Sequence, residues 1–465
     1  MECQGCGGKA TILIRRKGPE GASDLSLCDA CAAARGISAR SGSIELSMGE
    51  LLGRVGEENQ VPGTCPDCGM DLRRLLRRGR FGCPSCLGVF KDHLDAPRRA
   101  DAPSPASAAP SPEDPALLRS YLRLGRNFPD LPFPGPGGGS PSSLAKHTDH
   151  RASPLLARAG YSVTGLDVSP ATVLEELAQI GDLPPSWLAD PQSLLAKHHD
   201  DGFLCLLDVD DHLSWRGARR GLALAALESE TLAEALRLEA WYEPAKDPDW
   251  GYLTARLGDC GRGLQGSVLL HLPALARSGL IERLARGLLG RGWSFEGHYG
   301  TEEGGAGSSA GDLWLLSPGT ETGLGAGRIE EEARSIAAAE TRARAELFAA
   351  APHRLLDRAG RALGILSYAQ ECSQPEALTL LSDLRLGLLT GLLGGLPRES
   401  VDELLVAFAG RGKPLRPKGS PTELPRRGPD ADRIQRIRSR LGLPDPAPRA
   451  HIEVESEGRK PCSKA

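Results

Sequence analysis

The chain has 465 residues and a net charge of −4 at pH 7, long enough for two or three domains with at least one sizeable core. This charge gives no overall attraction to nucleic acid or to a membrane surface. No window reaches eighteen apolar residues, and the start Met1-Glu2-Cys3-Gln4 lacks a basic, then apolar leader; the expectation is a cytoplasmic protein with no membrane association.

Cysteine usage is more decisive. Eight of the twelve cysteines fall before residue 90, as four Cys-x-x-Cys pairs. In a reducing compartment such pairs are metal ligands or redox centres. Their occurrence in twos with matched spacing favours two structural zinc sites of four cysteines each, because Cys-x-x-Cys offers two thiolates from one tight turn. The first module, residues 1–40, would use Cys3, Cys6, Cys28 and Cys31, with a strand near Ala10–Ile14 between the pairs. The second, residues 62–95, would use Cys65, Cys68, Cys83 and Cys86. Modules this small bury little apolar surface, so metal binding would supply their folding energy. The basic run Asp71–Arg80 reads either as a docking patch for an acidic partner or as a solvated hairpin face. Nucleic acid is disfavoured, since no aromatic residues interleave for base stacking.

Residues 96–113, rich in Ala, Pro and Ser, read as a linker. From 114 to 410, short apolar runs at 203–209, 251–255, 267–272 and 312–316 predict strands. Long Ala/Leu/Glu/Arg segments at 217–241, 329–351, 375–393 and 399–409 predict helices. The fold class expected is α+β. Residues 411–465, with Lys413-Pro414-Leu415-Arg416-Pro417-Lys418, read as a disordered tail holding a short basic helix at 431–441. Cys205, Cys260 and Cys372 read as small buried apolar side chains.

Two resemblances follow from ordered motifs. Residues 1–95 resemble the zinc-binding activator of the bacterial protein arginine kinase, through Met1–Cys6, Leu27–Ala32, Cys65-Pro66-Asp67-Cys68-Gly69 and Gly82-Cys83-Pro84-Ser85-Cys86. Residues 118–393 resemble the protein arginine kinase itself, of the phosphagen (guanidino) kinase family. Here the carriers are Ser120–Asn127 with Pro132-Phe133-Pro134, Asp210-Asp211-His212-Leu213, Gly251-Tyr252-Leu253-Thr254, Ser267–Leu275, Gly364-Ile365-Leu366 and Leu381–Gly387. The resemblance implies a short helical lobe followed by a large antiparallel sheet flanked by helices, behind two small zinc-ribbon-like modules. It further implies Mg-ATP as co-substrate if the protein is active, Asp210 as catalytic carboxylate, and Arg123, Arg126 and His271 as nucleotide-binding residues. Other proteins of Clp-type proteolysis are the implied partners, and a homodimer is compatible with it. His271, on a strand, reads equally as a packed core or pocket-wall residue. In the C-terminal region Asp357, Arg358 and Arg361 lie where the family binds phosphoarginine, or form a helix-surface ion-pair set.

Several positions depart from the family pattern. The phosphate-binding arginines fall on Ser214, Gln265 and Glu296, the first arginine of the N-terminal motif on Tyr121, the closing glutamate of the Arg-Gly motif on Thr301, and the reactive cysteine on Arg256. Losing one donor to transition-state charge costs about 10²–10³ in rate, so three missing clamps imply a loss of roughly 10⁴ or more even with strong non-additivity. Arg216, Arg219, Arg256 and Arg262 stand close enough in sequence to compensate. The expectation is a catalytically impaired kinase acting as regulator or adaptor in protein quality control; the alternative is an active ATP-dependent protein arginine kinase, and a third idea is a zinc-dependent nucleic-acid binder.

Overall fold

A computed structural model describes residues 63–94, 114–134, 141–166, 193–199, 203–297, 309–319, 325–409 and 428–444. It also describes the short pieces 12–18, 21–28, 38–40 and 43–45, and residues 3, 8, 9 and 177. Two hairpins open the chain: β1 (Ile12–Gly18) with β2 (Gly21–Leu27), and β3 (Ser38–Arg40) with β4 (Ser43–Glu45). The second cysteine module carries two short helices, α1 (Leu72–Arg78) and α2 (Ser85–Phe90).

The body is built on one eight-stranded sheet. Its strands are β5 (Leu117–Arg126), β6 (Tyr161–Gly165), β7 (Leu194–His198), β8 (Leu204–Leu207), β9 (Leu213–Arg220), β12 (Leu264–His271), β13 (Trp293–Gly297) and β14 (Leu313–Pro318). The order is β13-β14-β12-β5-β9-β8-β7-β6, with every neighbouring pair antiparallel. A small ribbon, β10 (Lys246–Asp247) with β11 (Gly251–Tyr252), stands apart from it.

Strand alternation decides which helices cover which face, because successive side chains point to opposite sides. Leu117, Leu122, Val268, Leu270, Trp314 and Leu316 join one core with α4 (Leu224–Glu239), α5 (Pro273–Arg277), α6 (Ile281–Leu289) and α7 (Ala326–Ala350). Leu118, Tyr121, Leu269 and Leu313 join another, with α8 (Pro352–Tyr368), α9 (Gln374–Leu389), α10 (Arg398–Ala409) and α11 (Pro429–Leu441). A third core, where α3 (Pro141–Arg158) packs, covers β6 to β9.

Three expectations need correction. The region between Arg126 and Asp210 does not form a separate helical lobe among the described residues: it supplies α3 and the strands β6, β7 and β8 of the sheet. Residues 213–220 form a central strand rather than the start of the predicted 217–241 helix, which begins at Leu224. The folded body does not stop at 410. Ile434, Ile437 and Leu441 of α11 are buried among Leu366 and Leu405, and the Arg438 guanidinium donates to the carbonyls of Leu366 and Ala369. Cys205, Cys260 and Cys372 are buried, as expected of small apolar side chains. Among the described residues, no helix is long and apolar enough to cross a membrane.

Candidate functional site: a carboxylate ringed by arginines

The second cysteine module is built to hold a metal. Gly69 (φ +70) closes the first knuckle, where the Gly69 N–H reaches the Cys65 carbonyl at 2.8 Å. Gly82 keeps the second knuckle against the first, since a Cβ there would lie 2.7 Å from Cys68 Sγ. The four Sγ atoms lie within 4.8 Å of one another, with separations of 3.6 Å for Cys65–Cys83, 3.3 Å for Cys68–Cys86 and 3.8 Å for Cys83–Cys86. A tetrahedral zinc–thiolate site, with bonds of about 2.3 Å, needs edges of about 3.8 Å, so the donor set fits zinc. Hydrogen bonding from Cys86 pulls the Cys83 thiol down to about 5 while burial pushes Cys68 up to about 11, a split that a divalent cation would remove by holding all four as thiolates. Of the first expected site, Cys3 is buried and Cys28 half-buried. Cys6 and Cys31, the other two expected ligands, lie outside the described residues.

This module is docked on the body. Leu72, Leu75, Phe81, Leu87 and Phe90 share one core with Phe133, Trp250, Leu253 and Ala255. Phe81 meets Trp250 edge-on with centroids 6.3 Å apart. Backbone bonds seal the contact: Phe81 N–H to the Ala255 carbonyl, Leu257 N–H to Gly79, and Phe133 N–H to Gly82, each at 2.9 Å. Of the basic run, Leu72, Leu75 and Arg80 thus meet the body, while Arg73, Arg77 and Arg78 are exposed. Asp71 caps α1 by accepting from Arg74 N–H, and Gly79 (φ 59) ends the helix and turns Arg80 toward the body.

Arg80 arrives at Asp210. The Asp210-Asp211-His212 turn joins β8 to β9 and is pinned from all sides. Asp211 accepts from Asn127 Nδ2 at 2.6 Å and from the Ala255 N–H at 2.7 Å, and the Asn127 side-chain oxygen accepts the His212 N–H at 2.9 Å. Gly125 is required beneath this turn, because a Cβ would overlap the Asp211 carboxylate. His212 accepts at Nδ1 from Phe128 N–H and donates from Nε2 to the Pro132 carbonyl. Burial lowers its pKa to about 4, so it stays neutral and positions the turn.

Cross-strand register assembles the basic groups. Arg123 lies directly opposite Gln265 on β12 and Arg216 on β9, and directly opposed residues share a face. Arg123 Nη1 reaches Asp210 Oδ2 at 3.3 Å and Arg216 Nη2 reaches it at 3.0 Å. Arg256 Nη2 lies 3.2 Å from Oδ1 and 3.4 Å from Oδ2, and Arg80 Nη1 lies 2.8 Å from Oδ1. Against a burial that would raise it, Arg123, Arg256, Arg216 and Arg80 hold the Asp210 carboxyl far below the usual carboxylate range. Arg123 also pairs with Asp259 and donates to the Gln265 side-chain oxygen at 2.5 Å. Burial would lower its pKa, but Asp259, Asp210 and Asp211 raise it instead.

The expected nucleotide residues do not converge here. Arg126 is 1% exposed and committed to Glu239 at 2.7 Å and to the Gly125 and Arg262 carbonyls, with its guanidinium 3.4 Å from the Tyr252 ring centroid. His271 lies six residues along β12 from Gln265, roughly 20 Å away at strand rise. It is buried between Arg385 Nη1 and Ser382 Oγ, each at 2.9 Å. The compensating arginines are also engaged: Arg219 with Glu230 and Arg262 with Glu228, besides Arg216 and Arg256 with Asp210. Glu296 lies at the end of β13, and Thr301 lies outside the described residues. Asp357 and Arg361 form an exposed ion pair one turn apart on α8, and Arg358 pairs with Asp383. Arg80 was missed as a site residue; its place in a basic run was the sole signal.

Known families and proteins match this chain over most of its length. Residues 63–98 match the McsA central zinc-finger domain, residues 187–324 the ATP:guanido phosphotransferase C-terminal catalytic domain, and residues 352–451 the protein-arginine kinase McsB C-terminal domain. The protein-arginine kinase of Symbiobacterium thermophilum is 32% identical over 320 residues, spanning 63% of this chain and 84% of that protein. That of Caldanaerobacter subterraneus subsp. tengcongensis is 30% identical over 301 residues, spanning 60% and 83%. Among solved structures, the substrate-free duplicated taurocyamine kinase from Schistosoma mansoni aligns with a TM-score of 0.46 at 14% identity, over 64% of this chain; the alignment spans 47%, about half, of that duplicated protein. Lombricine kinase aligns with a TM-score of 0.42 at 15% identity, over 57% of this chain and 79% of that one. The chain belongs to the protein-arginine kinase family and carries a zinc-finger domain of the McsA type on the same polypeptide.

Proposed function

We propose that this protein is a catalytically impaired member of its family, a regulator or adaptor in cytoplasmic protein quality control whose partners are other proteins, including Clp-type proteolytic machinery. One observation carries the reading: the carboxylate that would grip and deprotonate an incoming guanidinium is already saturated. A carboxylate has about four lone-pair sites, and Asp210 makes five guanidinium contacts through its two oxygens. A base held this far below its usual range takes no proton near neutral pH, and general-base help is worth about 10²–10⁴ in rate. The cations that would neutralise a triphosphate are in turn occupied by carboxylates, and Arg256 stands where the family carries its reactive cysteine.

The second reading, an active Mg-ATP-dependent protein arginine kinase, is favoured by the names of the relatives. Incubating the zinc-loaded chain with Mg-ATP and an unfolded protein, then searching for phosphoarginine by mass spectrometry, separates the two. The expected result is no phosphoarginine above a no-enzyme control. A robust signal that vanishes in Asp210→Asn establishes the kinase and ends the impaired reading.

A further inference from the structure

The guanidinium of Arg80 differs from the other three around Asp210. Arg123, Arg216 and Arg256 belong to the body, within residues 114–297. Arg80 comes from the zinc finger, 130 residues away in sequence. Charge balance does not require it, since three body guanidinia already face Asp210 and Asp259. Its setting is also more elaborate than an ion pair. Besides the 2.8 Å contact to Asp210 Oδ1, its Nη2 donates to the backbone carbonyls of Asp210 at 3.3 Å and of Pro134 at 3.5 Å. One carboxylate oxygen and two carbonyls converging on one group suit a planar cation with several fixed donors, which lysine cannot imitate. Its side chain is 21% exposed, against 11% for Arg123 and 5% for Arg216, while Arg256 is 39% exposed.

We propose that Arg80 is an internal ligand: a tethered arginine that fills the guanidinium cradle at Asp210 and keeps arginine side chains of other proteins out of it. The proposal rests on reading Asp210 as the place where an incoming guanidinium would bind. The finger fixes the plug through its backbone. Gly79 and Phe81, on either side of Arg80, hydrogen bond to Leu257 and Ala255, and Arg80 itself bridges antiparallel to Arg256. A tethered group competes at an effective concentration on the order of millimolar or above, so a free arginine side chain is excluded while the finger stays docked. The plug is removable as a unit, because the finger folds around its own cysteine cluster and meets the body through one apolar core and the backbone bonds around Arg80.

The test is calorimetry on the full zinc-loaded chain with N-acetyl-arginine methylamide as probe, comparing wild type with Arg80→Ala and Arg80→Gln. Hydrogen bonds to charged groups are each worth enough that vacating the cradle is expected to tighten probe binding by about tenfold or more. Adding Asp210→Asn to the variant that gains binding is expected to abolish the gain. A gain in either variant that depends on Asp210 supports the plug. Binding no tighter than wild type in both variants, or a gain that survives Asp210→Asn, overturns it. Unchanged Trp250 emission in the variant that gains binding shows that vacating the cradle, not undocking of the finger, opened the site; a gain accompanied by undocking counts only if Asp210→Asn removes it. The two readings fail separately: phosphoarginine formation by the wild type defeats the impaired-kinase reading and leaves this comparison standing, while equal probe binding defeats the plug and restores no phosphoryl transfer.

Discussion

Cys86→Ser is expected to release the finger from the body. Cys86 is fully buried at the centre of the thiol cluster, and structural zinc supplies on the order of 10–16 kcal/mol to folds of this kind. With one ligand gone, residues 63–94 retain too small a core to stay ordered, whereas the body keeps its own cores on both faces of the sheet. The expected readouts are loss of one bound zinc by elemental analysis, new protease cleavage within 63–94, and a red-shifted emission from Trp250, now 4% exposed beneath Phe81. A Trp250→Phe companion assigns the shift. A finger that stays protected from protease in Cys86→Ser would show that apolar docking alone holds it.

Asp210→Ala is expected to destabilise the body, not merely to alter its chemistry. The side chains of Arg123 and Arg216 are 11% and 5% exposed, and removing the shared partner of buried charges costs about 3 kcal/mol or more. Arg80 and Arg256, more exposed, add little to that figure. The pH dependence has a defined sign. The folded-state pKa of Asp210 lies below its unfolded value, so its contribution is complete above about pH 4 and is lost as pH falls further toward the folded value. Urea unfolding from pH 7 to pH 2 checks this: the wild type should lose stability on the acid side, and Asp210→Ala should begin lower and fall less steeply. Equal stability at pH 7 would mean the arginines find other partners at no cost.

How far the sequence could carry this picture follows from what each residue needs. The Cys65/Cys68/Cys83/Cys86 set was legible because thiolate ligation fixes both residue type and spacing. Asp210 and Arg123 were legible as members of ordered motifs. Their pairing was not, since it arises from register across β5, β9 and β12, and register is set by packing over the whole sheet. Strand β9 was hidden because its apolar–polar alternation, Leu213-Ser214-Trp215-Arg216, lasts only four residues and its basic end runs on toward a helix. His271 was placed correctly on a strand, but a motif does not reveal that the strand carries it away from the Asp210 end of the sheet. Helix α11 has apolar residues at 434, 437 and 441, a helical spacing, yet its Pro- and Arg-rich surroundings masked its docking against α8 and α10. The contact between Arg80 and Asp210, across 130 residues, leaves no local mark at all.

Arginines spent on carboxylates instead of phosphates are the centre of this picture. Isothermal titration of the zinc-loaded chain with Mg-ATP measures this most directly. Arg123, Arg216, Arg219, Arg256 and Arg262 are each held by an acidic partner, so no saturable heat is predicted at nucleotide concentrations up to about 1 mM, the affinity equivalent of roughly 4 kcal/mol. Saturable binding below that concentration, weakened by Arg216→Ala or Arg256→Ala, would show these side chains turning to the phosphates and would contradict the account.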